Sequence, residues 1–201
     1  QADIIARKDQ PRSEIGVMKK IISKASAAQD YGQLMAAEMR QMILWKEISA
    51  DSLTPNVERM EAEVLKVKDP ALKAVRYAVL GKVYSDMDEK KSEEFFKKAL
   101  QQPELLAKHT STEYVPLTLK GVDGSSFNND LLHLIGFEAD SKEAYHLMYT
   151  YYNKVGNRGA ACLCAYKLIE KYRQDDVREV KKSKYLHTID SLIHVYQDIP
   201  E

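Results

Sequence analysis

The residues best placed for proton-transfer chemistry in this chain are Asp130 and His133, which lie three positions apart. On a helix this spacing places the side chains one turn apart, where a carboxylate can orient a histidine as a general acid or base. A hydrolase would join both to His109 in a deep pocket. However, no G-x-S-x-G segment supplies a nucleophile, and an aspartate that caps a helix beside an ordinary histidine predicts the same spacing. Both interpretations stay open, and the capping role is favoured.

A second group of residues has spacing that could bind a metal ion. His187, Asp190 and His194 fall on one face of a predicted helix. Structural zinc sites normally have four protein ligands, and no fourth ligand is evident nearby, so we expect a solvated face and no metal or cofactor. Cys162 and Cys164 point about 200° apart on a predicted helix, so they cannot form a disulfide with each other. Both cysteines are predicted to line the core.

Three tyrosines, Tyr145, Tyr149 and Tyr152, share one face of a predicted helix. Such a face could line a concave groove that binds a partner protein or peptide, because tyrosine offers contact area and a hydroxyl at low entropic cost. Core packing predicts the same spacing. An exposed tyrosine face would favour a peptide-binding adaptor.

The longest irregular stretch covers residues 110–129 and contains Pro116, Gly121 and Gly124. Loops of this length are uncommon inside compact domains and are often functional. The candidate functional residues in and beside it are Tyr114, Asn128, Asn129, Asp130 and His133. The alternative is a packed connection between two helical halves. In that case the anchoring residues would be Tyr114, Val115, Leu117 and Leu119.

The elements that must position these residues are helices. The region from Tyr77 to Pro103 carries nearly the tetratricopeptide pattern. Its residues are Tyr77, Leu80, Gly81, Tyr84, Ser92, Phe96, Ala99, Leu100 and Pro103. The large side chains would fill the seam between two antiparallel helices, and Gly81 and Ser92 would let the two backbones approach. Such a pair cannot bury its apolar face alone, so it predicts neighbouring pairs.

A second region fits the same pattern with one departure. The matching residues are Tyr145, Met148, Tyr152, Ala161, Ala165 and Leu168. Tyr149 stands where the pattern has a small residue, so we predict that this pair is splayed more widely or rotated differently.

Apolar periodicity and capping residues predict the other helices. The predicted spans are 13–28 with Ser13 as N-cap, 33–48, 54–67 opened by Thr54-Pro55, 70–84 opened by Asp69-Pro70, 89–101, 103–108, 128–139, 141–155, 158–172 and 175–197. The predicted fold class is all-α, with antiparallel helix pairs stacked as a tetratricopeptide-like right-handed superhelix. We expect one helical-repeat domain over 1–201, with lobes 13–109 and 128–197 joined by the loop 110–127.

The charge balance argues against one class of partner. The chain has 30 lysine and arginine residues and 30 aspartate and glutamate residues, so its formal net charge is zero. A nucleic-acid-binding surface normally needs a basic excess. No apolar run approaches the roughly 18 residues of a membrane span. Because the chain begins with Gln1, we expect the natural start to lie upstream.

Taken in order, residues 14–173 resemble the N-terminal helical region of large bacterial alpha-2-macroglobulin-like proteins. The segments that carry the resemblance are Tyr31-Gly32-Gln33-Leu34, Leu72-Lys73-Ala74-Val75, Val83-Tyr84, Phe96 to Ala107, Tyr114-Val115-Pro116-Leu117 and Phe127 to Gly136. The chain departs from the family at Asn128-Asn129-Asp130, where an asparagine-histidine-aspartate run is expected. It also lacks the C-x-E-Q thioester motif, so the protease-trapping chemistry does not carry over.

The resemblance implies a periplasmic, cell-envelope or secreted protein, with macroglobulin domains further along the same polypeptide. For this chain we expect a non-catalytic helical module that mediates protein–protein contacts or acts as a spacer. The alternatives are a free-standing peptide-binding adaptor and a hydrolase that uses the loop histidines.

Overall fold

The computed structural model describes residues 2–48, 53–118, 123–174 and 179–198, without the side chains of 2–10, 173–174, 179–186 and 188. The helices are α1 (Ala2–Ala28), α2 (Tyr31–Ile48), α3 (Leu53–Val64), α4 (Pro70–Tyr84), α5 (Glu89–Ala99), α6 (Pro103–Leu106), α7 (Leu131–Ala139), α8 (Lys142–Lys154), α9 (Arg158–Gln174) and α10 (Glu179–Tyr196). Two 3-10 turns, Ser111–Tyr114 and Gly124–Phe127, interrupt the long loop. Within the described ranges there is no strand, which confirms the predicted all-α class.

The helices stack mainly as sequential pairs. The most extensive contacts join α1 to α2, α4 to α5 and α8 to α9, so the prediction of stacked helix pairs is confirmed. The wider splay predicted for the second pattern is not tested by these contacts and stays a prediction.

Two predicted N-caps, Ser13 and Thr54, are wrong, and two further predicted starts are displaced, because α2 begins at Tyr31 and α7 at Leu131. Ser13 lies inside α1, which begins at Ala2 and continues through Pro11. The preceding residues are mostly good helix formers, and their propensity outweighs the helix start suggested by Ser13. Thr54 is also inside its helix, because α3 already includes Leu53. In contrast, Asp69 caps α4 as predicted, since its side chain accepts a hydrogen bond from the Leu72 amide at 2.7 Å.

The chain divides into two compact units. The first contains Gln1–Ala99 and Ser111–Lys120, and the second contains Leu100–Thr110 and Gly121–Glu201. The predicted lobes differ from these units at the loop, because α6 contacts α7 and α8, whereas the turn Ser111–Tyr114 contacts α2. The two parts of the loop are packed against different helices, since the turn Gly124–Phe127 contacts α7 and α9.

The first unit is organised around α2, which contacts α1, α3 and α4. Met35 and Leu44 are fully buried on different sides of this helix, as expected for a helix with two apolar faces. Glu38, also buried, forms an ion pair with Arg76 of α4 at 3.5 Å. Burial raises the pKa of Glu38, although the Arg76 charge opposes that effect.

The α4–α5 pair in the first unit is closed at Gly81. A Cβ atom at Gly81 would lie 2.8 Å from the Phe96 ring, and the Ser92 hydroxyl donates a hydrogen bond to the Gly81 carbonyl at 2.8 Å. The small residues thus allow the close approach that the pattern predicts.

The second unit contains α7, α8 and α9, with α10 packed on α9. Ser141 caps α8 as predicted, by accepting a hydrogen bond from the Ala144 amide at 3.2 Å. Between α7 and α8, a Cβ atom at Gly136 would overlap the Met148 side chain. The helices α8 and α9 are in contact, and Met148 of α8 and Ala161 and Ala165 of α9 are all buried. None of the described helices is long and apolar enough to cross a bilayer.

Candidate functional site

Asp130 is the N-cap of α7, and its side chain is fully engaged. Its Oδ1 atom accepts a hydrogen bond from the His133 amide at 2.8 Å. The Tyr152 hydroxyl lies 2.9 and 3.0 Å from its two carboxylate oxygens and donates its single proton to the carboxylate. Burial raises the pKa of Asp130 to about 6, although these hydrogen bonds oppose the effect. The carboxylate therefore ties the start of α7 to α8.

Aromatic rings pack against His133 and Tyr152, the two residues that donate hydrogen bonds to this carboxylate. The His133 ring stacks on Phe127 with centroids 4.1 Å apart and also meets the edge of Phe137 at 4.5 Å. Tyr152 meets the edge of Phe127 at 5.1 Å. Asp130 is 3% exposed and His133 is 1% exposed. We call Phe127, Asp130, His133, Phe137 and Tyr152 the Asp130 cluster; it is an interior joint between the loop, α7 and α8.

The two asparagines before Asp130 form a turn in the backbone. Asn128 and Asn129 both adopt left-handed conformations, with φ of 56° and 54°, which asparagine tolerates better than most residues. The Asn129 backbone N–H donates a hydrogen bond to the Gly124 carbonyl at 2.7 Å. These residues turn the chain from the 3-10 turn into α7. The predicted loop residues Asn128, Asn129, Asp130 and His133 are thus brought together by the fold.

Tyr114 belongs to the first unit, whereas the Asp130 cluster belongs to the second. It is 6% exposed, and burial raises its pKa to about 12. The backbone at Tyr114 and Val115 passes so close to Gly32 of α2 that a Cβ atom there would overlap both carbonyl oxygens. Tyr114 is anchored, as the packed-connection alternative predicts, whereas the side chain of Val115 is exposed. Leu117 is half-buried, and Leu119 lies outside the described residues.

The three tyrosines of α8 do not form an exposed face. Tyr145 and Tyr152 are each 2% exposed, so the prediction that they offer a partner-binding face is wrong and core packing accounts for them. The reason is that each hydroxyl has an internal acceptor, Asp140 for Tyr145 at 2.7 Å and Asp130 for Tyr152. Tyr149 is half-buried and shares a hydrogen bond with Tyr196 of α10.

The other residues that could react or bind a metal ion do not form a site. Cys164 is buried, and burial raises its thiol pKa to about 12, which disfavours the reactive thiolate. Cys162 is half-buried. The side chains of His187, Asp190 and His194 are exposed. Among the described residues, no group of three histidine, cysteine, aspartate or glutamate side chains is arranged to hold a metal ion.

An open groove runs between α1 and α2 in the first unit. Its volume is about 410 Å³, and it is lined by Arg12, Ile15, Gly16, Lys19, Trp45 and Ile48. We call this the α1–α2 groove. Ile15 is buried at its base, Trp45 and Ile48 are half-buried, and the remaining three residues are exposed. Apart from Gly16, its two neighbours and the nearby backbone of α1, no atom of the described residues lies within 4 Å of the position that a Cβ atom at Gly16 would take, so the missing side chain opens the groove.

This groove was not predicted from the sequence, but two signals point towards it. Gly16 interrupts a helical run in which alanine would be about 1 kcal/mol more favourable, and Trp45 is the only tryptophan in the chain. Neither signal reveals that the two residues face the same space. That proximity depends on the pairing of α1 with α2.

No protein-family model, curated protein or solved structure matches this chain. The geometry of the described residues is therefore the basis for any functional assignment.

Proposed function

We propose that this chain is a non-catalytic interaction module that binds a protein or peptide segment in the α1–α2 groove. The observation that carries the proposal is the groove itself, in which Ile15, Trp45 and Ile48 form an apolar lining that reaches the surface. Concave sites of a few hundred Å³ with mostly apolar walls are the usual binding sites of proteins. Tryptophan is also among the residues that contribute most to protein interfaces.

The environment of Asp130 and His133 favours a binding module over a hydrolase. A general base needs access to substrate, whereas Asp130 is buried and its carboxylate accepts hydrogen bonds from the His133 backbone N–H and the Tyr152 hydroxyl. The residues of the alternative catalytic site thus have a clear structural role as a helix cap and its packing.

We also propose a superhelical arrangement of the helix pairs and a location in the cell envelope. Stacking into a tetratricopeptide-like right-handed superhelix is supported by the α4–α5 pair, where Gly81, Ser92 and Phe96 make the contacts that the pattern requires. Attachment to macroglobulin domains of a periplasmic or cell-envelope protein is supported by the sequence resemblance alone. The full-length reading frame separates this setting from a free-standing adaptor, because only the former includes downstream macroglobulin domains.

A displayed library of helical peptides tests whether the groove is the interaction site. The library is sorted for binding to the wild-type chain and then to Gly16→Leu, in which a side chain fills the groove. We expect the enriched peptides to bind the wild type and to lose most of their affinity for the variant. If the enriched peptides bind both proteins equally, the α1–α2 groove is not the interaction site. Gly159→Ala is the control, because this helical glycine has room for a Cβ atom and lies in the second unit.

A further inference from the structure

The cationic residues of the α1–α2 groove are arranged along one face of α1. Arg12, Gly16 and Lys19 follow one another at helical spacing, so their positions share a face. The seven-residue separation of Arg12 and Lys19 corresponds to about 10 Å along the helix axis. Gly16 lies between them without a side chain, and Trp45 of α2 also lines the space. The groove therefore combines two positive charges with an apolar notch.

Both charged side chains are exposed. Neither Arg12 nor Lys19 forms an ion pair with any side chain that the structure describes. Glu14, an acidic neighbour on α1, is already paired with Arg40 at 2.8 Å. Although the whole chain is neutral, α1 contains six basic and three acidic residues. These are Arg7, Lys8, Arg12, Lys19, Lys20 and Lys24 against Asp3, Asp9 and Glu14.

The shape and the charges together define a complementary ligand. A helix that carries carboxylates seven residues apart, with a bulky apolar residue midway, matches both the spacing and the notch. We propose that the α1–α2 groove binds an acidic amphipathic helix of a partner protein, whose carboxylates pair with Arg12 and Lys19 and whose apolar side chain fills the notch at Gly16. This inference rests on the proposed function and specifies the class of ligand.

A membrane surface is the less suitable occupant. Anionic lipids also attract basic helices, but a bilayer is reached by apolar side chains that project from the protein. Here Gly16 has no side chain that could project, and Trp45 and Ile48 are half-buried in the groove walls. A convex helix fits such a surface better than a flat layer of headgroups.

Trp45 allows a direct measurement, because it is the only tryptophan and it lines the groove. The probes are three synthetic amphipathic helical peptides without tryptophan, of identical apolar pattern, that carry glutamate, glutamine or lysine at the two charged positions. Vesicles of phosphatidylcholine with phosphatidylserine serve as the membrane probe. We expect the glutamate peptide to shift the Trp45 emission saturably and the lysine peptide to have no effect. The affinity of the glutamate peptide should fall as salt is added.

Variants then assign the contacts. Gly16→Leu should weaken binding of the glutamate peptide about tenfold or more, because it places atoms where the ligand side chain fits. Arg12→Gln and Lys19→Gln should each weaken it about threefold, the modest effect of an exposed ion pair. Lys20→Gln is the matched control, since it removes the same charge from an exposed position of α1 that does not line the groove. It should leave the affinity nearly unchanged.

The outcomes separate the two levels of the proposal. Equal binding of the glutamate and lysine peptides, abolished by Gly16→Leu, would overturn the acidic ligand but keep the groove as an interaction site. A Trp45 response to anionic vesicles and to no peptide would overturn both in favour of lipid binding. If no peptide of any charge binds in a manner that depends on Gly16, the proposed function itself is wrong.

Discussion

The Asp130 cluster lies in the interior of the second unit, whereas the α1–α2 groove opens at the surface of the first. Asp130 caps a helix and accepts two kinds of hydrogen bond, and aromatic rings cover its neighbour His133. Arg12 and Lys19 stand on either side of a position that has no side chain. The Asp130 cluster has the residue types expected of a catalytic site, but its polar groups bind one another. The α1–α2 groove has ordinary residue types, and its two basic side chains form no ion pair with a described side chain.

This difference shows why residue type and spacing alone do not locate a site. A carboxylate near a histidine signals chemistry only if substrate can reach both groups, and a buried carboxylate must instead be satisfied internally. A groove between helices depends on which side chains are missing as much as on which are present. The two regions should therefore respond differently to substitution, one in stability and the other in binding.

Removing the Asp130 carboxylate should have the largest effect on stability. Asp130→Ala removes the cap of α7, worth about 1 kcal/mol, and leaves the buried Tyr152 hydroxyl without its acceptor, worth about 2 kcal/mol more. We expect the free energy of unfolding to fall by about 3 kcal/mol at about pH 4 or below, where Asp130 contributes most to stability, measured by chemical denaturation.

Ser141→Ala provides the matched control for that loss. Ser141 also caps a helix, but the structure gives its side chain only the Ala144 amide as a hydrogen-bond partner, so its loss should cost about 1 kcal/mol. In a double-mutant cycle, Asp130→Ala combined with Tyr152→Phe should cost less than the sum of the two single changes. Equal losses for Asp130→Ala and Ser141→Ala would show that the Tyr152 contact does not contribute.

The ionisation of Asp130 should make stability depend on pH. Its folded-state pKa is raised from 3.8 to about 6, so between these values the folded state binds the proton more tightly than the unfolded chain does. Its contribution to stability is therefore greatest at low pH and declines by roughly 2 to 3 kcal/mol as the pH rises through this window. Asp130→Asn keeps an acceptor for the cap and should lack this decline.

The comparison of Asp130→Asn with the wild type isolates this group. Burial also raises the pKa of Glu38, which gives a decline of the same sign, so the total pH profile does not identify Asp130. Denaturant unfolding of both proteins across the acidic range gives the difference directly. A constant difference at every pH would mean that Asp130 titrates at its ordinary pKa.

Much of the fold could be predicted because local signals and packing agree. Asp69 and Ser141 are good capping residues placed just before apolar periodic segments, and both cap helices in the structure. The prediction of Ser13 as an N-cap was wrong because the residues before it also favour helix. The prediction of a tyrosine binding face was wrong because periodicity identifies the buried side of a helix but not the surface that a partner uses. The groove could not be predicted, since it is created by two helices that only the tertiary structure pairs.

Substitutions at Gly81 and Gly16 compare a glycine that is packed against a neighbouring helix with a glycine that faces open space. Gly81→Ala places a methyl group against the Phe96 ring, with a Cβ distance of 2.8 Å before relaxation, and such overpacking costs about 1 to 3 kcal/mol. Better helix propensity returns part of that cost. We expect a net loss of about 1 to 2 kcal/mol in the free energy of unfolding, and Phe96→Leu in the same chain should recover part of it. An unchanged stability would mean that α5 shifts without cost.

Gly16→Ala should have the smallest effect on stability and the opposite sign. The same gain in helix propensity applies as at Gly81, but no atom lies near the new methyl group, so we expect the free energy of unfolding to rise by about 0.5 to 1 kcal/mol. The glutamate peptide should nevertheless bind this more stable protein less tightly, because the methyl group occupies the notch. A loss of binding that accompanies a gain in stability cannot arise from damage to the fold. It would identify the open position at Gly16 as the feature that receives the ligand, whereas a stabilised variant with unchanged binding would place the ligand elsewhere.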